Sequence, residues 1–300
     1  MLRLSLIIPT FNRSALLVQT LQSVAQQSAP AEDWECIVVN NNSTDDTVEC
    51  FDKFCRENPD FNLRMVFEPN QGLSYARNCG IRESVGEYMA FIDDDEHISK
   101  EFIASYISFF DATPEAVAAG GPIVAEYPAG APRWMSCFTE RPIANTLYLG
   151  DKVREFPAGK IPGGGNMALR RSAVRRYGVF DISLGRKGTK LIGGEESDLF
   201  ERLQIAGARY FYVPNAVMHH IIIPEKLTDD YFERLSYNVG ASQLLRAKFY
   251  HRVGRARMAE VGKWLATIVL SMWYFVTLQW AKAKYLIKMR YHISRGIWSK

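Results

Sequence analysis

Four clusters of side chains in this 300-residue chain are of the types that act on polar, anionic ligands. Three carboxylates in a row, Asp93-Asp94-Asp95, close the apolar run Tyr88-Met89-Ala90-Phe91-Ile92. Packed like charges repel and resist desolvation, so a strand ending this way calls for a counter-charge. Hard carboxylate oxygens suit Mg²⁺ or Mn²⁺, and a cation held there would neutralise a diphosphate. Taken alone, the triplet also reads as an acidic turn. A second cluster, Glu195-Glu196-Ser197-Asp198, begins an amphipathic run through Leu203. The helix dipole favours acids at such a start, and one carboxylate there could serve as a general base. In Asn70-Gln71-Gly72-Leu73-Ser74-Tyr75-Ala76-Arg77-Asn78 a glycine opens a helix, and Arg77 follows one turn later. It could reach a phosphate at the helix N-terminus or hold the aspartates in place. The loop Ile161-Pro162-Gly163-Gly164-Gly165-Asn166-Met167 lets backbone approach a ligand closely, with Asn166 offering an oriented amide.

The elements needed to position these groups are legible. Leu4-Ser5-Leu6-Ile7-Ile8 is a near-continuous apolar strand ending in Pro9-Thr10, as expected of a parallel strand buried on both faces. Ser14 is placed to cap a helix carrying Leu17, Leu21 and Val24. Trp34 to Val39 forms a second strand that stops at Asn40-Asn41-Asn42-Ser43-Thr44-Asp45, and a helix follows through Phe54. Leu63 to Phe67 and Leu73 to Ser84 repeat the alternation, and the fourth strand ends at the aspartates. Strands alternating with helices indicate βαβ units and a parallel sheet, whose carboxyl ends form a ligand crevice. Residues 100–224 are less regular and read as an interleaved half of the same fold.

Composition is that of an ordinary globular chain, with 47% hydrophobic and 23% charged residues. Five scattered cysteines without zinc spacing are expected to be reduced thiols of the cytosol. Met1-Leu2-Arg3-Leu4-Ser5 runs straight into a strand, so no signal peptide is expected.

Ser5-Leu6-Ile7-Ile8-Pro9-Thr10-Phe11-Asn12, Val38-Val39-Asn40-Asn41-Asn42-Ser43-Thr44-Asp45, the aspartate triplet and Gly193-Gly194-Glu195-Glu196-Ser197-Asp198 together closely resemble the family 2 glycosyltransferases, in order over about residues 4 to 220. The resemblance implies the GT-A fold, α/β and Rossmann-like, with a mostly parallel sheet flanked by helices. It also implies inverting sugar transfer assisted by Mn²⁺ or Mg²⁺. It assigns a nucleotide-sugar site to Pro9, Thr10, Phe11, Asn12, Asn40, Asn41, Arg77, Asp93 and Asp94. Phe11 offers a ring for the base, and the polar residue near Asn41 reads the uracil edge. Most members carry an acid there; an amide both donates and accepts, and an Asn-rich turn also forms on its own account. By the same resemblance Asp95 ligates the metal, while Asp93 and Asp94 contact ribose or metal-bound water. One of His219 and His220 completes the metal shell or touches the diphosphate. Neighbours on an extended chain face opposite ways, and His219, with Asp95 and Asp93, is the one expected. Gly164, Gly165, Asn166 and Asp198 face the donor sugar or acceptor. The family's spacing puts the base at Glu196, where most members have Asp, with Glu195 the competitor.

The net charge of +3 hides an asymmetry. From Arg246 onward there are twelve Lys/Arg and one acid, Glu260, a balance of +11 that leaves 3 − 11 = −8 for the rest. Trp264 to Ala281 carries no charge over 18 positions, short of the about 20 that a span needs, and basic clusters flank both ends. Thr267, Ser271, Tyr274 and Gln279 roughly mark a polar stripe. The expectation is a helix lying on the cytoplasmic leaflet, held by anionic inner-leaflet lipid, with no nucleic acid as partner. A C-terminal core helix is the alternative.

The division expected is a nucleotide-sugar-binding half (1–99), an acceptor-binding and catalytic half (100–225) and a basic helical tail (226–300). The function expected is transfer of a single sugar from a nucleotide-diphosphate donor, UDP-linked, to a glycan or lipid-linked saccharide in surface polysaccharide assembly. It would occur in the cytoplasm, at the inner face of the membrane. Gln243-Leu244-Leu245-Arg246 is followed by Ala247 rather than the tryptophan of processive synthases, which favours single addition. The rivals are a sugar nucleotidyltransferase, for which Pro9-Thr10-Phe11 supplies no basic Gly-rich loop, and a non-catalytic nucleotide-sugar-binding peripheral membrane protein.

Overall fold

A computed structural model describes residues 2–187, 191 and 193–299. The first half alternates as its apolar pattern requires: β1 (Leu4–Thr10), α1 (Ser14–Val24), β2 (Trp34–Asn40), α2 (Thr47–Glu57), β3 (Leu63–Phe67), α3 (Leu73–Glu83) and β4 (Tyr88–Phe91). β1, β2 and β4 are buried at every position, which is why their sequences run apolar without alternation. There follow β5 (Glu96–Ile98), α4 (Phe102–Ala112), β6 (Ala116–Gly120), β7 (Ile123–Glu126), α5 (Cys137–Ala144), β8 (Arg154–Glu155), β9 (Met167–Arg170), α6 (Arg171–Tyr177), α7 (Glu195–Ile205), β10 (Arg209–Tyr212) and β11 (Met218–Ile221). The chain continues through α8 (Asp229–Phe249), α9 (Val253–Val276) and α10 (Trp280–Ile297).

Eight strands form one sheet in the order β3-β2-β1-β4-β9-β6-β10-β8. β3, β2, β1 and β4 run parallel, as do β6 and β10. β9 enters antiparallel between β4 and β6, and β8 closes one edge antiparallel to β10. Residues 100–224 thus complete the sheet; β8, β9 and β10 are two to four residues long, too short for a period to show. Alternate side chains feed two cores. Leu4, Leu6 and Ile8 pack with α1 and α4 on one face, while Ile7, Ile37 and Val39 pack with α3 and α7 on the other. All five cysteines are free thiols.

The chain divides into two compact units, one of Met1–Ala125, Leu147–Ser183 and Glu195–Ile221, the other of Glu126–Thr146, Leu184–Gly194 and Ile222–Lys300. The second is helical. Within it Gly240 and Gly296 let α8 and α10 approach closely: a Cβ on Gly240 would lie 2.0 Å from the Ile293 carbonyl oxygen. The segment expected as one helix, Trp264 to Ala281, is instead broken at Thr277–Gln279, where Leu278 adopts a left-handed φ of 58°. α9 and α10 therefore form a hairpin. No helix among the described residues is long and apolar enough to cross a membrane.

Candidate active site

Because β1 and β4 are neighbours, the loops leaving their carboxyl ends meet. Asn12, at a left-handed φ of 52°, turns the chain into α1, and Arg13, not Ser14, occupies the cap position. The Arg13 side chain leaves the helix to serve the acidic tip. Its Nη1 donates to Asp94 Oδ1 at 3.0 Å and Asp95 Oδ2 at 3.1 Å. Thr10 Oγ1 donates to Asp94 Oδ2 at 2.8 Å, and the Thr20 hydroxyl donates to the Asp94 carbonyl. Burial pushes the Asp94 carboxyl up to about 6, with Arg13 opposing the rise and Asp95 adding to it. Burial acts against the Arg13 charge, but the two aspartates more than offset it and hold its pKa above the ordinary arginine value.

On the other side of the tip, Gly80 seats α3 against β1; a Cβ there would fall 2.3 Å from Ile7 Cγ2. This seating buries Arg77, which is 1% exposed. Its Nη1 donates to Glu195 Oε1 at 2.7 Å, and its Nη2 donates to Asp93 Oδ1 and the Gly164 carbonyl, both at 3.0 Å. One guanidinium thus ties together the aspartate tip, the glycine loop and the start of α7. Glu96 makes a second tie. Its Oε2 accepts from the Asp93 backbone N–H at 2.7 Å, and a Cβ on Gly165 would meet its Oε1 at 1.8 Å. Burial raises the Glu96 carboxyl well above the usual range, and Asp93 and Asp95 add to the shift.

Several residues expected to face a ligand are committed within the protein. Asn41 is buried; its Nδ2 donates to the Glu68 and Asn70 carbonyls, and its Oδ1 accepts from Gly72 N–H. The side chain therefore shapes the 68–72 turn instead of reading a base edge. Asn40 Oδ1 accepts from Ser43 N–H, and Asn12 Oδ1 from Thr44 N–H. Asn166 is fully buried, its amide donating to the Pro122 and Ala216 carbonyls and accepting from the Tyr106 hydroxyl. It anchors the glycine loop and cannot also face a sugar. Asp198, also buried, pairs with Arg202 at 3.0 Å, and Arg202 in turn clasps the Tyr177 and Val179 carbonyls. Of the histidine pair it is His220, not His219, that approaches the tip: its Nε2 lies 3.7 Å from Asp95 Oδ1, whereas His219 is opposite His97 in the β5–β11 ladder.

More open are Phe11, half-buried beyond Pro9 and Thr10, Asp93, whose side chain is 34% exposed, Gly164 and Glu196. Arg13 and Glu96 were missed from sequence, and of the histidine pair the other member was favoured. Arg13 had a signal: a cation just past the tip of β1 belongs beside the acids at the tip of its sheet neighbour.

Two guanidiniums, Arg13 and Arg77, face Asp93, Asp94, Asp95, Glu96, Glu195 and Glu196, an excess of acid that suits a hard cation or a cationic ligand group. Among the described residues no group of three or more Asp, Glu, His and Cys side chains converges as a full cage.

A family description, glycosyl transferase family 2, matches residues 5–178. The chain is 31% identical over 209 residues to the succinoglycan biosynthesis protein ExoM of Rhizobium meliloti, an alignment covering 68% of this chain and 62% of that one. It is 24% identical to a glucosyl-dolichyl phosphate glucuronosyltransferase of Haloferax volcanii, over 83% of this chain and 79% of that one. Among solved structures, the mannosyltransferase PcManGT from Pyrobaculum calidifontis, in complex with GDP-Man and Mn²⁺, superposes with a TM-score of 0.63 at 19% identity, covering 99% of this chain and 87% of that one. Staphylococcus aureus TarS residues 1–349 with UDP-GlcNAc superposes at 0.58 and 18% identity, over 81% and 67%. The fold is GT-A, a mostly parallel sheet between helical layers. The chain belongs to glycosyl transferase family 2.

Proposed function

We propose that this family member moves a single sugar, with inversion, from a UDP-linked donor to a glycan or lipid-linked saccharide in surface polysaccharide assembly. The observation that carries the reading is the Arg77 clasp, which draws α7 to the aspartate tip. With Glu195 engaged as the arginine's counter-ion, Glu196 is the carboxylate left to act on an acceptor, and it lies within the electrostatic reach of Arg77. The acceptor oxygen attacks the anomeric carbon as the bond to the diphosphate breaks, and its proton passes to Glu196. Phe11 stacks on the base, and Asp93, the most open carboxylate of the tip, orients the ribose side of the donor, with Asp94 positioning the tip through Arg13 and Thr10. Residues 1–99 hold the nucleotide, residues 100–225 present the acceptor and residues 226–300 form the basic tail.

Asp95 and Asp93 would hold Mn²⁺ or Mg²⁺ together with donor phosphate oxygens and water. When bound, the ion supplies charge neutralisation for the departing nucleoside diphosphate. PcManGT, a structure with Mn²⁺, and the glucuronosyltransferase, named for a dolichyl phosphate acceptor, support the metal and the lipid-linked acceptor. Anionic lipid holds the protein peripherally at the inner face of the membrane through its basic tail.

The test is Glu196→Gln with a panel of nucleotide sugars. Loss of a general base should lower transfer by roughly 10²–10⁴-fold while the donor still protects against melting. Unchanged transfer in that variant would overturn the assignment. Donor protection indifferent to excess EDTA would overturn the metal.

A further inference from the structure

We propose that the α9–α10 hairpin lies in the surface of an anionic bilayer, with the outer face of α9 as its lipid-facing side. The inference rests on the peripheral placement given above and assigns the face, which that placement leaves open. α9 is inside-out. At 3.6 residues per turn, Met258, Val261, Leu265, Val269, Met272 and Val276 fall within an arc of about 80°, and each is at least 55% exposed. Glu260, Thr267 and Ser271, on the opposite side, are at most 7% exposed. A helix folded onto a water-soluble body shows the reverse.

The polar stripe is held there by α10. Arg290 Nη1 donates to both Glu260 oxygens at 3.1 and 3.0 Å, and the Ser294 hydroxyl donates to Oε1 at 2.9 Å. Trp264 Nε1 donates to the same hydroxyl at 2.8 Å. Rolling α9 to hide its apolar side would carry Glu260 away from Arg290 and leave that largely buried guanidinium against apolar side chains, so the face stays outward and needs a cover.

Charge selects the occupant. Exposed Arg255, Lys263 and Lys284 belong to the same hairpin, and Trp273 and Trp280, 63% and 59% exposed near its turn, are residues that favour a membrane interface. A two-fold mate would bring each cation toward its own copy, whereas anionic headgroups complement them. The hairpin is too polar on its inner side to span, so it lies in the plane.

The full chain should co-sediment with phosphatidylcholine vesicles containing phosphatidylglycerol, with Trp emission shifted to the blue. The double variant Val269→Glu/Val276→Glu should lower that partitioning by at least ~10-fold, with its circular dichroism and its donor hydrolysis unchanged, because both positions are exposed. If the wild-type chain ignores these vesicles, the placement itself fails. If wild type and variant sediment equally, placement survives and the assigned face is wrong. If light scattering shows a stable dimer that the variant dissociates, the face is an interface between copies and the proposal is overturned. None of these outcomes bears on the Glu196 assignment, which is read by transfer.

Discussion

Arg77 is a buried cation shared between a buried acid, Glu195, and a partly open one, Asp93. Removing one member of such a group leaves the others desolvated without a partner. Arg77→Met should therefore lower the unfolding free energy by about 3–5 kcal/mol, read by denaturant melting. Arg77→Lys should recover only part of this, because an ammonium cannot fork toward Glu195, Asp93 and the Gly164 carbonyl at once. Glu195→Gln keeps a hydrogen-bond acceptor for Arg77 and should lower stability while leaving measurable transfer, the opposite of the Glu196→Gln profile. Side-chain commitments of this kind were the least legible part of the sequence. Asn41 and Asn166 look like ligand contacts because an amide is equally suited to a ligand and to backbone carbonyls, and only the fold decides which it meets. Conversely, Arg13 drew no notice although it holds the tip, because its partners Asp94 and Asp95 are far along the chain, and Glu96 was passed over because a carboxylate turned back onto the Asp93 N–H reads in sequence as one more acid of the run.

At the scale of elements, the apolar runs of β1, β2 and β4 and the helices between them follow directly from their patterns. Burial on both faces and helical spacing are local properties of sequence. β9 and β8 do not follow, since strands of four and two residues carry no period and owe their place to partners far along the chain. The helix end at Thr277 was hidden for a different reason: neither Gly nor Pro marks it, and Leu278 takes up the left-handed turn. Close approaches between elements give the sharpest test. Gly240→Ala would drive a methyl group into the Ile293 carbonyl and push α8 from α10, which should cost about 1–3 kcal/mol in a thermal melt. Gly165→Ala would displace Glu96 from the Asp93 N–H and should weaken donor protection more than it lowers the melting point.

Across the whole molecule the charge is segregated, with +11 beyond residue 245 and −8 before it. Electrostatic attraction to a bilayer is screened within about 3 Å at 1 M salt, so vesicle binding should fall steeply between low and high salt. Donor hydrolysis, governed by contacts within the buried site, should change little, and parallel salt titrations of the two activities check this. The order of the large sheet sets a further demand, on biosynthesis. Among the described residues β9 alone joins β4 to β6, so a nascent chain that has not yet delivered Arg170 from the ribosome leaves the facing margins of β4 and β6 unpaired, each able to recruit a stranger. Early-terminated products ending before Met167 should accordingly precipitate or remain chaperone-bound, while those extending through Arg170 have the means to zip the halves shut.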